Sequence, residues 1–494
     1  MGRRHQLAVA CLATASLTLA ARSAAQDRGM PADEARSEQV DALFAEFARP
    51  NSPGASVTVS VAGRVVHSRG YGLADLERPR AIEPSSVVHA ASVAKQFTAF
   101  LTLLLEAEGV LSTEDPVTRW LPELRCGADV SVRHLLEHTS GVRDQWQLLG
   151  LSGVRVNGDV ITQEDVLELL FRQEGLSFAP GAEQSYSNSG YTLLAEIVAR
   201  ASGEDFAAFA RRRIFAPLGM TRTSFQVSPR ALVRNRALSY AQTADGAFES
   251  VPLAFATYGA TGLMTTTEDL IRWAENAWEL RVGSTELYAR MAERGVLTDG
   301  SEVNFTNGLQ VRTWRGYEVL GHPGADAGYR SAVVWVPELR LAVGLLGNVA
   351  SVDMWGLPDG VLEIFAPATE AQPIEAIGAD TAADEPPSAA APSAAPVPPA
   401  PATELGELIG RYYSRELDTS YDLERRDTGM VARHVRNGAL PLQLVGEDCF
   451  ACERWYLTEL AIERDDRGAV VAFTASSSRS RGVRFERLAA RRQR

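Results

Sequence analysis

A run of prolines near the C-terminal end divides this chain into two parts that fold separately. Pro367, Pro373, Pro386, Pro387, Pro392, Pro396, Pro398, Pro399 and Pro401 lie in an alanine-rich stretch with no apolar period. Such a composition cannot bury a core and favours extended polyproline conformation, so residues 366–403 read as a linker. Residues 26–365 then form a domain of about 340 residues and residues 404–494 one of about 90, each long enough to enclose its own core.

The first 25 residues are of another kind. Arg3, Arg4 and His5 precede an apolar run from Leu7 to Ala20, and Ser23, Ala24 and Ala25 supply the small side chains a signal peptidase reads. Residues 1–25 therefore read as a cleaved secretion signal, which places the mature protein outside the cell or in the periplasm. The apolar run is too short to cross a bilayer, and nothing later approaches ~20 uninterrupted apolar residues, so no membrane span is expected. Leu7 to Cys11 outlines a lipoprotein box, but the segment ahead of Cys11 is too short for anchoring there to be expected.

Removing that segment takes away three arginines and no acid, which makes the formal charge of −13 three units more negative. An acidic product argues against nucleic acid or anionic membrane surfaces as partners. Cys126 stands alone, and Cys449 and Cys452 form an isolated C-x-x-C with no further metal ligands nearby. A short-loop disulfide and two free thiols both fit that pair.

In the larger part, Ser56–Val61 and Val65–Gly70 flank one tight turn and Ala332–Val336 and Leu341–Leu346 another, so both pairs read as hairpins. Between them the apolar period is helical at 97–108, 132–137, 163–173, 191–201, 206–215 and 267–280. Strands at both ends with helices between imply an α+β domain whose antiparallel sheet is assembled from the two ends of the segment. After the linker, short runs at 420–426, 430–435, 440–445, 458–463, 470–474 and 483–488 are separated by Gly, Asp or Asn turns, which suggests a small antiparallel sheet or barrel. No catalytic grouping shows in that C-terminal part.

Lys95 is the only lysine among 49 basic residues. Arginine keeps its proton at any relevant pH, whereas a desolvated lysine can lose one, so a site that needs a neutral amine cannot accept the exchange. Lys95 thus reads as a proton acceptor. It follows Ser92 by three residues at the start of an apolar helix, a spacing that puts both side chains on one face. There the amine can take the hydroxyl proton and make Ser92 a nucleophile, while the helix N-terminus favours a nearby oxyanion.

Two further motifs follow in order: Tyr186-Ser187-Asn188 after a Pro-Gly turn, and His322-Pro323-Gly324-Ala325 before the last hairpin. Together Ala91-Ser-Val-Ala-Lys-Gln96, Arg133-His-Leu-Leu-Glu-His-Thr-Ser-Gly141, Tyr186-Ser-Asn-Ser-Gly-Tyr191 and Gly262-Leu-Met-Thr-Thr-Thr-Glu-Asp-Leu270 resemble the class C β-lactamase and penicillin-binding protein superfamily. The resemblance runs from about Val40 to Phe365 and implies its fold: an antiparallel sheet flanked by helices, with a helical subdomain. It also implies a cofactor-free acyl-enzyme mechanism on Ser92. Lys95 and Tyr186 would share the proton, and Asn188 would hold the acyl side chain and the lysine. The N–H groups of Ser92 and Ala325 would form the oxyanion hole. A phenol of ordinary pKa ~10 is a poor base at neutral pH, so Tyr186 needs the Lys95 ammonium beside it.

His322-Pro323-Gly324 departs from the K-T-G of many β-lactamases and carboxypeptidases, which puts a β-lactam or D-Ala-D-Ala substrate in doubt. H-x-G variants resemble the esterase and D-aminopeptidase-like branches, so a hydrolase of small esters or amides, or of cell-wall peptides, is expected. The alternative is a module that binds peptidoglycan stems without cleaving them. His134-Leu-Leu-Glu137-His138 also matches the zinc-peptidase pattern H-x-x-E-H, but Thr139-Ser140-Gly141 ends the helix at once, and no metal site is expected. The sequence leaves the oligomeric state open.

Overall fold

The computed structural model describes residues 30–156, 158–303, 305–366, 405–426 and 429–489. The expected signal segment with Cys11, and residues 367–403 of the expected linker, lie outside them.

The ten helices of the described residues are α1 (Met30–Leu43), α2 (Ala94–Ala107), α3 (Val132–Leu136), α4 (Gln145–Leu151), α5 (Gln163–Phe171), α6 (Asn188–Ser202), α7 (Phe206–Ala210), α8 (Thr267–Glu279), α9 (Thr285–Ala292) and α10 (Gly356–Phe365). The principal sheet is built from β1 (Ala55–Val61), β2 (Arg64–Tyr71), β3 (Gln310–Trp314), β4 (Tyr317–Asp326), β5 (Tyr329–Val336) and β6 (Leu341–Gly347). Its order is β3-β4-β5-β6-β1-β2, antiparallel throughout. The β1–β6 pairing, Ala55↔Gly347 through Val61↔Leu341, joins the two ends of the domain as the strand pattern implies.

Each face of the sheet is covered by a helix. One apolar cluster joins Val40 of α1, Phe44 just beyond it, and Val361 and Leu362 of α10 to Val57, Val59, Val343 and Leu345. On the other face, Leu270, Ile271 and Trp273 of α8 join a larger cluster that runs into the helical subdomain. Two-sided burial is why β5 and β6 are buried along their whole length and read as unbroken apolar runs. Helix α2 is buried on nearly every side, as an apolar helix without a polar face must be, and Phe97 packs on Trp273 at 4.4 Å between ring centroids.

The C-terminal part is a closed antiparallel barrel of eight strands. They are β7 (Gly410–Ser414), β8 (Thr419–Arg426), β9 (Gly429–His434), β10 (Gly438–Gly446), β11 (Cys449–Arg454), β12 (Leu457–Arg464), β13 (Val470–Ser476) and β14 (Val483–Arg487). Closure is made by β7 against β14, Tyr412↔Arg487. Strands β7 and β11 were not legible in the pattern, and both are needed to close the ring. Cys449 and Cys452 lie on β11 as free thiols, pointing away from a disulfide. Among the described residues no helix is long and apolar enough to cross a membrane.

Candidate active site

Ser92 sits in a one-turn 3-10 helix, Ala91–Val93, that leads directly into α2. Its predecessor Ala91 has φ 45°, a left-handed conformation that costs a residue with a Cβ and that tends to mark functional turns. Lys95, on the first turn of α2, is fully buried. Its Nζ lies 2.8 Å from each of Ser92 Oγ, Asn188 Oδ1 and Ala260 O. The amide and carbonyl oxygens can only accept, whereas the serine hydroxyl can donate or accept, so a neutral amine can turn its lone pair on Ser92.

Tyr186 reaches the same oxygen. Its hydroxyl bonds Ser92 Oγ at 2.9 Å, and Lys95 Nζ stands 4.7 Å from its ring centroid. Ser187 caps α6 by accepting from Gly190 N, which makes Asn188 the first residue of that helix. The amide is then fixed by Asp144, whose Oδ2 accepts both Asn188 N at 2.7 Å and Nδ2 at 3.1 Å. Asp144 also caps α4 through Trp146 N. Neither Asp144 nor Ala260 was singled out from sequence. An Asp two residues after Gly141-Val142 looks like any helix cap.

His322, Pro323, Gly324 and Ala325 lie on β4, all buried, and pair with β5. Pairing with β3 ends at Gly321, so the edge of β4 beyond it has no strand on that side, which is where a proline is tolerated. That stretch runs against the Ser92 turn: a Cβ on Gly324 would fall 2.6 Å from Ala90 O and 2.8 Å from Ser92 N. His322 Nδ1 donates to Pro323 O, and its ring stands 6.2 Å from that of Tyr186 and 6.1 Å from that of Phe305.

The two histidines of the H-x-x-E-H match take separate local tasks. His134 Nδ1 accepts Ser131 N in a capping box of α3, and the helix stops at Leu136. His138, at φ 60°, lies beyond that end, accepts Ser187 N, and stacks on Tyr186 with centroids 4.4 Å apart. Burial, with Lys95, His322 and Arg479 nearby, holds its pKa well below the usual histidine range, so it is a neutral support for the Tyr186 ring. Among the described residues no group of three or more His, Cys, Asp or Glu side chains is placed to hold a metal ion.

The barrel, in which the sequence shows no catalytic grouping, nevertheless reaches the site. The β13–β14 loop lies along Arg143–Gln147: Asp144 N donates to Arg479 O at 3.1 Å, and Arg479 N to Gln147 Oε1 at 2.9 Å. Arg143 donates to Arg481 O and Gly482 O and pairs with Glu416 at 2.8 Å in the buried interface. Arg479 places its guanidinium carbon 4.9 Å from the Tyr186 ring centroid. A polar Ser-Ser-Arg-Ser-Arg-Gly turn more than 290 residues from Tyr186 gives no local sign of that contact.

A serine hydroxyl contacted by a buried amine and a phenol, in a turn that lies against an antiparallel sheet and leads into a buried helix, defines an active-site-serine hydrolase scaffold. The family model described as Beta-lactamase matches residues 40–354, and the chain belongs to the β-lactamase family. It is 29% identical over 309 residues to a D-aminopeptidase of Gluconobacter oxydans, covering 63% of this chain and 58% of that protein. It is 34% identical over 192 residues to Penicillin-binding protein 4* of Bacillus subtilis, covering 38% of this chain and 41% of that protein. The chain thus spans between about 40% and 60% of the length of these curated relatives.

Among solved structures, the octameric penicillin-binding protein homologue from Pyrococcus abyssi superposes with TM-score 0.60 at 22% identity, over 91% of this chain and 99% of that one. A D-amino acid amidase from Ochrobactrum anthropi SV3 gives TM-score 0.57 at 24% identity, over 68% and 98%. These likenesses describe the fold.

Proposed function

We propose that the chain is an exported serine hydrolase that cleaves amides of D-amino acids or short D-residue peptides through an acyl-enzyme on Ser92. The observation that carries this reading is the pair of contacts on one oxygen: Lys95 Nζ at 2.8 Å and Tyr186 Oη at 2.9 Å from Ser92 Oγ. The substrate class rests on the names of the relatives, D-aminopeptidase and D-amino acid amidase, and on the replacement of K-T-G by His322-Pro323-Gly324.

Ser92 Oγ attacks the carbonyl carbon as its proton passes to the Lys95–Tyr186 pair, and the N–H groups of Ser92 and Ala325 receive the oxyanion. Each such donor is worth roughly 10²–10³ in rate. Tyr186 returns a proton to the departing nitrogen, the C–N bond breaks, and an ester on Ser92 remains. Water then attacks that ester, giving a proton to the same pair, and Ser92 leaves as the free hydroxyl. Asn188 keeps the amine in place throughout, and no cofactor is required.

Matched D- and L-amino acid amides, followed by ammonia release with native protein and Ser92→Ala, test the reading. It requires turnover of D-amides that the variant abolishes. Turnover of L-amides alone, or of neither series, would overturn it, the latter in favour of a peptidoglycan-binding module.

A further inference from the structure

Three arginines around the β13–β14 loop pair with carboxylates, whereas the one that faces Tyr186 does not. Arg481 pairs with Glu183 at 3.0 Å, Arg484 with Glu463 at 2.8 Å and Arg143 with Glu416 at 2.8 Å. Among the described residues no carboxylate is within ion-pairing distance of Arg479, whose guanidinium instead lies 4.9 Å from the Tyr186 ring centroid. The side chain is half-buried, hence partly desolvated yet reachable. Its backbone is held on both sides, through Arg479 N to Gln147 Oε1 and Asp144 N to Arg479 O, and its neighbours Ser477 and Ser480 bond Gln147 and Asp144. A cation with no carboxylate partner among the described residues, on a loop pinned this firmly beside the Tyr186 ring, is built to receive an anion from outside.

The position also says which half of the substrate carries that anion. Tyr186 bonds Ser92 Oγ and, in the mechanism above, protonates the departing group, so a guanidinium stacked on Tyr186 borders the leaving-group side. The catalytic domain offers a histidine and a proline at the K-T-G position in place of the lysine and threonine. We propose that Arg479, carried by the barrel, is the anion-binding group of this active site, and that the enzyme favours substrates whose leaving half bears a carboxylate. A peptide bond followed by a residue with a free C-terminus has that chemistry. The inference rests on Ser92 being the nucleophile, and it gives the barrel a task in selecting substrates.

Two aryl phosphonates test it: ethyl 3-carboxyphenyl methylphosphonate and its 3-carbamoylphenyl counterpart. Each phosphonylates an activated serine as the P–O(aryl) bond breaks and the phenol departs. The ratio of their rates on Ser92, read by intact mass in native protein, Arg479→Gln and Arg479→Lys, cancels the intrinsic difference between the two phenols. A native carboxylate-to-amide ratio roughly tenfold or more above that of Arg479→Gln, with Arg479→Lys retaining much of it, is expected. Equal ratios in native protein and Arg479→Gln overturn the anion subsite while leaving Ser92 as nucleophile. Absence of any Ser92 adduct with either probe overturns the nucleophile itself and the subsite with it.

Discussion

Asp144 accepts two hydrogen bonds from Asn188, from its backbone N–H at 2.7 Å and its side-chain amide at 3.1 Å, and thereby decides which end of that amide faces Lys95. A carboxylate cannot donate, so the amide nitrogen must turn to Asp144 and the oxygen to Nζ. Because Asp144 N also donates to Arg479 O, one residue ties the barrel loop to the amide that bonds Lys95 Nζ. Asp144→Ala leaves a buried amide without its acceptor and frees it to turn. We expect kcat to fall roughly tenfold to a hundredfold with little change in KM, and Asp144→Asn to recover most of it. Steady-state kinetics on the three proteins checks this.

At Gly324 β4 runs against the Ser92 turn. The 2.6 and 2.8 Å approaches of an added Cβ are both to backbone, which cannot swing aside as a flexible side chain would. Gly324→Ala must therefore displace β4 from Ser92 N and spoil the oxyanion geometry, lowering kcat/KM by roughly 10²–10³. Far-UV circular dichroism should stay native, since the barrel and the rest of the sheet are untouched.

Arg143 and Glu416 form an ion pair across the domain interface with side chains only 4% and 8% exposed. Removing one partner strands the other, and Arg143→Met or Glu416→Met alone should cost roughly 3–5 kcal/mol in denaturant unfolding. The double variant should lose much less than the sum of the two single losses, because no uncompensated charge remains.

His67 supplies a pH dependence. Its Nδ1 meets Ser37 Oγ at 2.8 Å and its Nε2 meets Tyr71 Oη at 2.9 Å, while Tyr71 donates to Asp41, so the ring joins α1 to β2 as a neutral tautomer. Burial first, and Arg69 second, hold its pKa down to about 4 from 6.5, against the pull of Asp41. Between those values the unfolded chain binds the proton and the folded one does not. Stability from this group is complete above pH 6.5 and is lost as the pH falls toward 4. The melting temperature should decline over that window, and less steeply in His67→Gln.

The Ser92–Lys95 contact was legible because it is written in local spacing and in one exclusion. Ser92 and Lys95 are three residues apart, and a chain that uses arginine elsewhere keeps lysine at one position. The hairpins β1–β2 and β5–β6 and most of the helices followed from period alone. The 206–215 helix is more complex, passing at Ala210 into a π-helical turn over Arg211–Phe215 that no apolar period distinguishes. Strand β11, Cys-Phe-Ala-Cys-Glu-Arg, is set by its barrel neighbours more than by its own composition. The contributions of Asp144, His138 and Arg479 are contacts between distant segments, and no local signal encodes them.

The central claim is an activated Ser92, and intact-mass spectrometry after exposure to a fluorophosphonate addresses it most directly. Native protein should gain the mass of a single phosphonyl group, and Ser92→Ala should gain none. Lys95→Arg, which keeps the charge but cannot accept the proton, should react at least about a hundredfold more slowly. A native protein that remains unlabelled, or an adduct that persists in Ser92→Ala, would contradict the account.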